Sequence, residues 1–309
     1  MSKSNLLSPD ISKLSVDQVT KLLADIDTII FDCDGVLWIE NKPIPGSVEA
    51  FNKLQSIGKR VVLLTNNSVK LRQEFLEKAK KMGYDIGMRD IISSAYLVAL
   101  YLKNRNFDKK AYVIGSKGII NELELAGIRC LGYGPDPLQH SLTQTIEHFV
   151  PDPRVGAVIV GFDEHFCYTK LLKAASYLNN PSCIFLSTNT DESFKIHQSL
   201  IMPGTGSILR AVEAVANREA VIVGKPYSFL GEALKKQFNI DPNRTMLVGD
   251  RCNTDVQLGK NCRFQTLLVM SGAPNYLSEK TQPLDPTDIP NYSIEQLGNL
   301  LPFLPSTSK

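Results

Sequence analysis

Short, almost wholly apolar runs recur along this chain: Thr28–Phe31, Arg60–Leu64, Ala111–Ile114, Ala157–Val160, Cys183–Leu186, Ala220–Val223, Thr245–Val248 and Thr266–Met270. Helix-patterned segments separate most of them. A strand with one wet face alternates apolar and polar residues, so a continuous apolar run needs cover on both faces. Strands alternating with helices therefore predict an α/β fold, a parallel sheet wrapped by helices on both sides. The punctuation agrees. Ser15 is placed to cap a helix whose face is Val16, Val19, Leu22 and Leu23, and Gly58 closes a helical stretch over Val48–Ile57.

At 309 residues the chain is long for one simple domain. Residues 106–203 repeat the strand–helix rhythm but hold no cluster of chemically active groups. They lie between two regions that do. The expected division is a core built from 1–105 and 204–309, with 106–203 inserted as a second domain. The tail from Asn275 to Lys309 contains prolines and is weakly patterned.

The net charge of +2 gives no general pull toward nucleic acid. Met1–Asp10 is polar and lacks the apolar segment of a secretory leader, and no stretch reaches membrane-spanning length. A soluble, cytoplasmic protein with no membrane partner is expected. Its six cysteines are scattered without a zinc spacing, so reduced thiols are expected, and the Asn-x-Ser/Thr matches at Asn66, Asn243 and Asn291 carry no weight for glycosylation.

Four motifs carry chemistry, and each follows an apolar run. In Asp32-Cys33-Asp34-Gly35, residues two apart share a side of the strand, so both carboxylates can approach one site while Cys33 points away. Their repulsion calls for a cation or a proton between them, and magnesium, which prefers oxygen ligands, suits the pair. Thr65-Asn66-Asn67-Ser68 offers hydroxyl, amide and backbone N–H groups for phosphate oxygens, with a helix expected from about Lys70. Gly224-Lys225-Pro226 sets an ammonium at a strand end. Gly249-Asp250-Arg251-Cys252-Asn253-Thr254-Asp255 supplies Asp250 to complete a magnesium site and Asp255 to orient a bound water or Lys225. Any one of these is an ordinary turn by itself. Together they describe a single crevice at the carboxyl ends of the strands, where open α/β sheets bind ligands. Gly204-Thr205-Gly206-Ser207 lacks the Gly-Lys-Ser/Thr ending of a nucleotide-binding loop, so no ATP site follows.

The set Asp-x-Asp-Gly-Val, Thr-Asn-Asn, Gly-Lys-Pro and Gly-Asp-Arg-x-x-Thr-Asp resembles the four motifs of the haloacid dehalogenase (HAD) superfamily. Phe31–Trp38, Thr65–Ser68, Gly161–Phe166, Thr188–Asp191, Pro203–Ser207 and Val248–Asp255 are similar to the phosphoglycolate/pyridoxal/4-nitrophenyl phosphatases, from about Leu22 to Leu300. The resemblance implies a Rossmann-like core with an inserted α/β cap of the C2 type. It implies Asp32 as nucleophile and Asp34 as general acid and base. Mg2+ would be held by the Asp32 side chain, the Asp34 carbonyl and Asp250. Thr65, Asn66 and Asn67 would contact the phosphoryl group with Lys225 beside it. A homodimer through the caps is implied as well.

The resemblance also sets expectations for substrate. The partner is a small phosphorylated metabolite. Phe194 stands where pyridoxal phosphate phosphatases of the family have a ring-packing histidine, so 2-phosphoglycolate is expected over pyridoxal phosphate, with 4-nitrophenyl phosphate as an artificial substrate. His197, three residues on, is expected to be exposed. The rival readings are a phosphotransferase, a protein phosphatase and an inactive regulatory protein. The intact set Asp32, Asp34, Lys225 and Asp250 argues against the last.

Overall fold

The computed structural model describes residues 8–138, 141–197, 199–272 and 289–305. Contacts divide them into two compact units. One contains the described residues up to Thr65, then Gln73–Ile92, and those from Lys225 onward; the other contains Asn66–Arg72 and Ser93–Gly224. The boundaries expected at 105/106 and 203/204 thus fall inside the second unit. The physical reason is packing: the helix Ser94–Lys103 lies against Lys117–Leu125, and the strand Val221–Ile222 pairs within the second unit's sheet.

The chain enters through α1 (Val16–Ala24), whose N-cap Ser15 forms the expected capping arrangement with Gln18. Next come β1 (Thr28–Phe31), a small hairpin of β2 (Trp38–Ile39) and β3 (Lys42–Pro43), and α2 (Ser47–Ser56). They lead to β4 (Arg60–Thr65), α3 (Arg72–Met82), β5 (Ile91–Ser93) and α4 (Ser94–Lys103). The expected helix after Asn67 begins at Arg72 rather than Lys70, because the Asn67 side chain accepts from the Val69 N–H at 2.9 Å and closes a turn there first.

In the second unit, β6 (Lys110–Ile114), β7 (Cys130–Leu131), β8 (Val155–Val160), β9 (Ile184–Ser187) and β12 (Val221–Ile222) form a sheet in the order β12-β9-β8-β6-β7, all pairs parallel. Between β9 and β12 runs an antiparallel hairpin, β10 (Ser193–His197) with β11 (Leu200–Pro203). Tyr112, Val158, Val160, Leu178, Leu209 and Val212 anchor this unit's core.

The chain then completes the first unit with β13 (Thr245–Gly249), β14 (Gln265–Val269) and β15 (Tyr292–Ile294). The resulting six-stranded sheet has the order β15-β14-β13-β1-β4-β5. β1 is buried at every position and pairs in parallel with β13 on one side and β4 on the other. Phe31 lies level with Val248 and Leu63. Asp32, one residue further out, and Asp250 and Thr65, two residues further out, therefore come to the same edge of the sheet, where the strand order switches direction around β1. In the core Phe31, Phe51, Tyr84 and Trp38 pack in succession, tilted or edge to face, with ring centroids 5.3 to 5.6 Å apart.

Part of the weakly patterned tail is docked in the core: Ile294, Leu297 and Leu300 are buried. Residues 275–288 and 306–309 of that tail, residues 1–7 of the polar N-terminus and the His197 side chain lie outside the described set. The six cysteines are free. Among the described residues no helix is long and apolar enough to cross a membrane.

Candidate active site

Asp32 is the first residue beyond β1. Its N–H donates to the Val248 carbonyl at 2.9 Å, which continues the ladder one step past the strand and fixes where the side chain begins. Its Oδ1 accepts from the Cys33 N–H at 2.8 Å and lies 2.8 Å from Lys225 Nζ. Cys33 turns inward and is fully buried, as strand alternation predicts. Burial and then the charges of Asp32 and Asp34 hold its thiol pKa well above the ordinary value, so it stays neutral.

Lys225 is 3% exposed and donates to Asp255 Oδ1 at 2.7 Å while facing Asp32. Burial favours loss of its proton; Asp255 and Asp32 outweigh that and raise its pKa above the usual lysine range. Asp255 sits in a π-helical turn over Cys252–Val256, an irregularity that recurs at functional sites. Gly249 permits the close approach, since a Cβ there would collide with the Asp255 carboxylate.

One carboxylate oxygen each from Asp32, Asp250 and Asp255 lies within 4.8 Å of the others. Asp250 Oδ1 is shut off from solvent without a hydrogen-bond partner among the described residues. A buried, unpaired carboxylate oxygen is costly. Burial, then Asp32, then Asp255 push the Asp250 carboxyl up to about 8; burial also pushes Asp255 to about 6 against the pull of Lys225. A divalent cation would relieve both effects, so the donor set fits magnesium: all oxygen, three acids against one ammonium. The site is tightly walled. Gly35 has φ +86°, and a Cβ on it would come within 2.5 Å of Asp250 Oδ2; a Cβ on Gly272 would overlap the same carboxylate.

Asp34 is oriented differently from its neighbours. Its carboxylate accepts from Trp38 Nε1 at 2.9 Å and lies 3.7 Å from Lys78 Nζ, and 51% of the side chain is exposed. Its side chain is thus held by Trp38 and Lys78, and it is not one of the three acids of the Asp32–Asp250–Asp255 cluster. The enclosing protein and Asp32 raise its pKa while Lys78 and the Trp38 N–H oppose them, the direction a proton donor requires.

Thr65 ends β4, buried at the same sheet edge. Asn66 and Asn67 belong to the second unit, where the Asn66 carbonyl accepts from Ser94 Oγ at 2.7 Å and Asn189 Nδ2 at 3.0 Å. Phe194 lies in β10 of that unit, half-buried. The structure therefore gathers Asp32, Lys225, Asp250 and Asp255 directly, with Asp34 and Thr65 at the same strand ends.

Sequence reasoning overlooked Trp38, Lys78, Ser271 and Gly272. Ser271 Oγ donates to the Gly35 carbonyl at 2.8 Å. Ser-Gly just past an apolar strand was the available signal for the last two, and a tryptophan four residues after Asp34 the signal for the first. Lys78, in mid-helix, gave none.

Comparison with known proteins follows the same lines. A family model described as haloacid dehalogenase-like hydrolase matches residues 29–129, and one described as HAD-hydrolase-like matches 222–298. The chain is 39% identical to the glycerol-3-phosphate phosphatase of Homo sapiens, covering 94% of this chain and 95% of that protein. It is 38% identical to the chloroplastic phosphoglycolate phosphatase 1A of Arabidopsis thaliana, covering 88% and 76%. Its fold matches the p-nitrophenyl phosphatase from Archaeoglobus fulgidus with a TM-score of 0.75 at 26% identity, over 90% of this chain and 99% of that one.

Proposed function

Because the chain belongs to the haloacid dehalogenase-like hydrolases, we propose that it is a magnesium-dependent phosphatase that clears phosphate from a small metabolite through a phospho-aspartate at Asp32. Phosphoric monoester hydrolysis is its class of reaction. The observation that carries the finer reading is Lys225 held between Asp32 and Asp255, next to an Asp250 Oδ1 that lacks a partner among the described residues.

Asp32, Asp250 and the Asp34 carbonyl are the groups suited to hold magnesium, with Asp255 behind them. The ion supplies positive charge against the phosphoryl oxygens. Asp32 attacks phosphorus, the bond to the ester oxygen breaks, and the electron pair departs with that oxygen as Asp34 gives it a proton. Lys225 neutralises Asp32 in the approach and the phosphoryl group in the transfer. Water then attacks the acyl phosphate, leaving its proton on Asp34 and releasing inorganic phosphate and free Asp32. Asp255 keeps Lys225 in place throughout.

Among substrates we rank 2-phosphoglycolate first, with 4-nitrophenyl phosphate as an artificial one. Phe194, which offers an apolar ring and no hydrogen bond, disfavours pyridoxal phosphate. Glycerol 3-phosphate, the compound in the human relative's name, is the competing natural ester. The test is phosphate release from these four esters with and without magnesium, for the intact enzyme and Asp32→Asn. Release that survives removal of magnesium, or survives the Asp32→Asn substitution, contradicts the reading.

A further inference from the structure

Trp38 is the chain's only tryptophan, and it is fully buried four residues after Asp34. A buried indole is held for its packing area, and it needs a partner for its N–H. Here that partner is Asp34 Oδ1, at 2.9 Å. The same loop is closed a second time through the backbone, where the Gly35 N–H donates to the Trp38 carbonyl at 2.8 Å. The ring itself has little freedom. It packs edge-on to Tyr84, whose hydroxyl is tied to the Leu37 carbonyl and Ser47.

Lys78 of α3 completes the arrangement. Its ammonium lies 4.6 Å from the Trp38 ring centroid and 3.7 Å from Asp34 Oδ1. The indole thus offers its face to the cation and its edge to the carboxylate. Both contacts fall on one oxygen. An indole N–H only donates, so Oδ1 must accept and cannot also present a proton along that direction.

Building on the assignment of Asp34 as general acid, we propose that Trp38 and Lys78 are positioning residues for leaving-group protonation: they pin Asp34 Oδ1 so that the transferable proton sits on Oδ2. When the phosphorus–oxygen bond breaks, the electron pair goes to the departing oxygen, the Oδ2 proton follows it, and the carboxylate left behind keeps its negative charge against the indole N–H and the Lys78 ammonium. Neither side chain belongs to the Asp32–Asp250–Asp255 cluster. In kcat/KM, which excludes the later hydrolysis of the acyl phosphate, their effect is confined to esters whose leaving group needs a proton.

That confinement supplies the test. An alkyl ester such as glycerol 3-phosphate must be protonated as it leaves, whereas nitrophenolate departs as a stable anion. The value of kcat/KM reports events up to leaving-group departure. General acid catalysis contributes about 10²- to 10⁴-fold, so misplacing the acid should forfeit about tenfold or more. Trp38→Phe, which keeps a ring against Tyr84 but removes the N–H, and Lys78→Met are each expected to lower kcat/KM for glycerol 3-phosphate by about tenfold and that for 4-nitrophenyl phosphate by under about twofold. Lys78→Arg should restore the alkyl rate. In the lysine variants, far-UV circular dichroism and an unchanged thermal melt report that the fold is intact, so they decide the matter even if Trp38→Phe does not fold. Equal losses on both esters, or no loss on either, overturn the proposal. Asp34→Asn separates the two levels. If it penalises the alkyl ester selectively while the Trp38 and Lys78 variants do not, positioning is wrong and the acid assignment stands. If Asp34→Asn itself shows no selectivity, both fall.

Discussion

Lys225 Nζ stands 2.8 Å from Asp32 Oδ1, although the strands that precede the two residues belong to different sheets. Asp32 follows the central strand of the six-stranded sheet, and Lys225 follows β12 at the edge of the five-stranded one. The ammonium is clamped from its other side by Asp255, so one cation holds two acids that would otherwise repel.

Removing that cation should be costly twice. Lys225→Met leaves Asp32, Asp250 and Asp255 without their neutralising partner, and breaking a buried pair from one side costs about 3–5 kcal/mol. Chemical denaturation should show a loss of that order, together with a severe fall in kcat. The double variant Lys225→Met/Asp255→Asn should recover much of the stability but none of the activity.

The acid cluster predicts a pH dependence with a definite sign. Asp250 is raised from an ordinary carboxylate value to about 8. The metal-free folded state therefore binds a proton more tightly than the unfolded chain, and the stability this contributes is lost as pH rises toward 8. Thermal melts of metal-free protein should fall across that range. Asp250→Asn should flatten the fall, and the gain in melting temperature on adding magnesium should grow with pH, because the ion competes with the proton.

Gly35 tests the walls of the site. With φ +86° and Asp250 Oδ2 in the space a Cβ would take, Gly35→Ala should cost about 1–3 kcal/mol in stability. It should also raise the magnesium concentration needed for half-maximal activity. An unchanged magnesium requirement would show that Asp250 is not confined as described.

Substrate choice is tested by ratios. The intact enzyme should show a higher kcat/KM for 2-phosphoglycolate than for pyridoxal phosphate, and Phe194→His should narrow the gap by raising the second value. A pyridoxal phosphate preference in the unaltered enzyme would assign Phe194 no part in excluding it.

Much of this arrangement was legible in the residues, for identifiable reasons. Runs buried on both faces read as strands, so β1, β4, β6, β8, β9, β12, β13 and β14 appear within a residue or two of their apolar runs. The pieces that escaped, β5, β7, β15 and the hairpins, are short and lack a continuous apolar run of four or more residues that would mark them. The carboxylates were legible because each follows such a run. Strand-end position did not, however, reveal that Lys225 arrives from the other sheet, since sequence order is silent about which sheet a strand joins. Nor did it reveal Trp38 and Lys78 beside Asp34. The Trp38 contact had a local signal in its spacing from Asp34, whereas the Lys78 contact depends on how α3 packs, which no local pattern encodes.

The most direct test of the whole account is to catch the covalent intermediate. Acid quenching during turnover of 4-nitrophenyl phosphate, followed by borohydride, reduces an acyl phosphate to an alcohol and would convert aspartate into homoserine. Peptide mass spectrometry should find homoserine at residue 32 only when both substrate and magnesium were present. Steady release of phosphate with Asp32 unmodified, or with the label on Asp34 or Asp250 instead, would contradict Asp32 as the nucleophile.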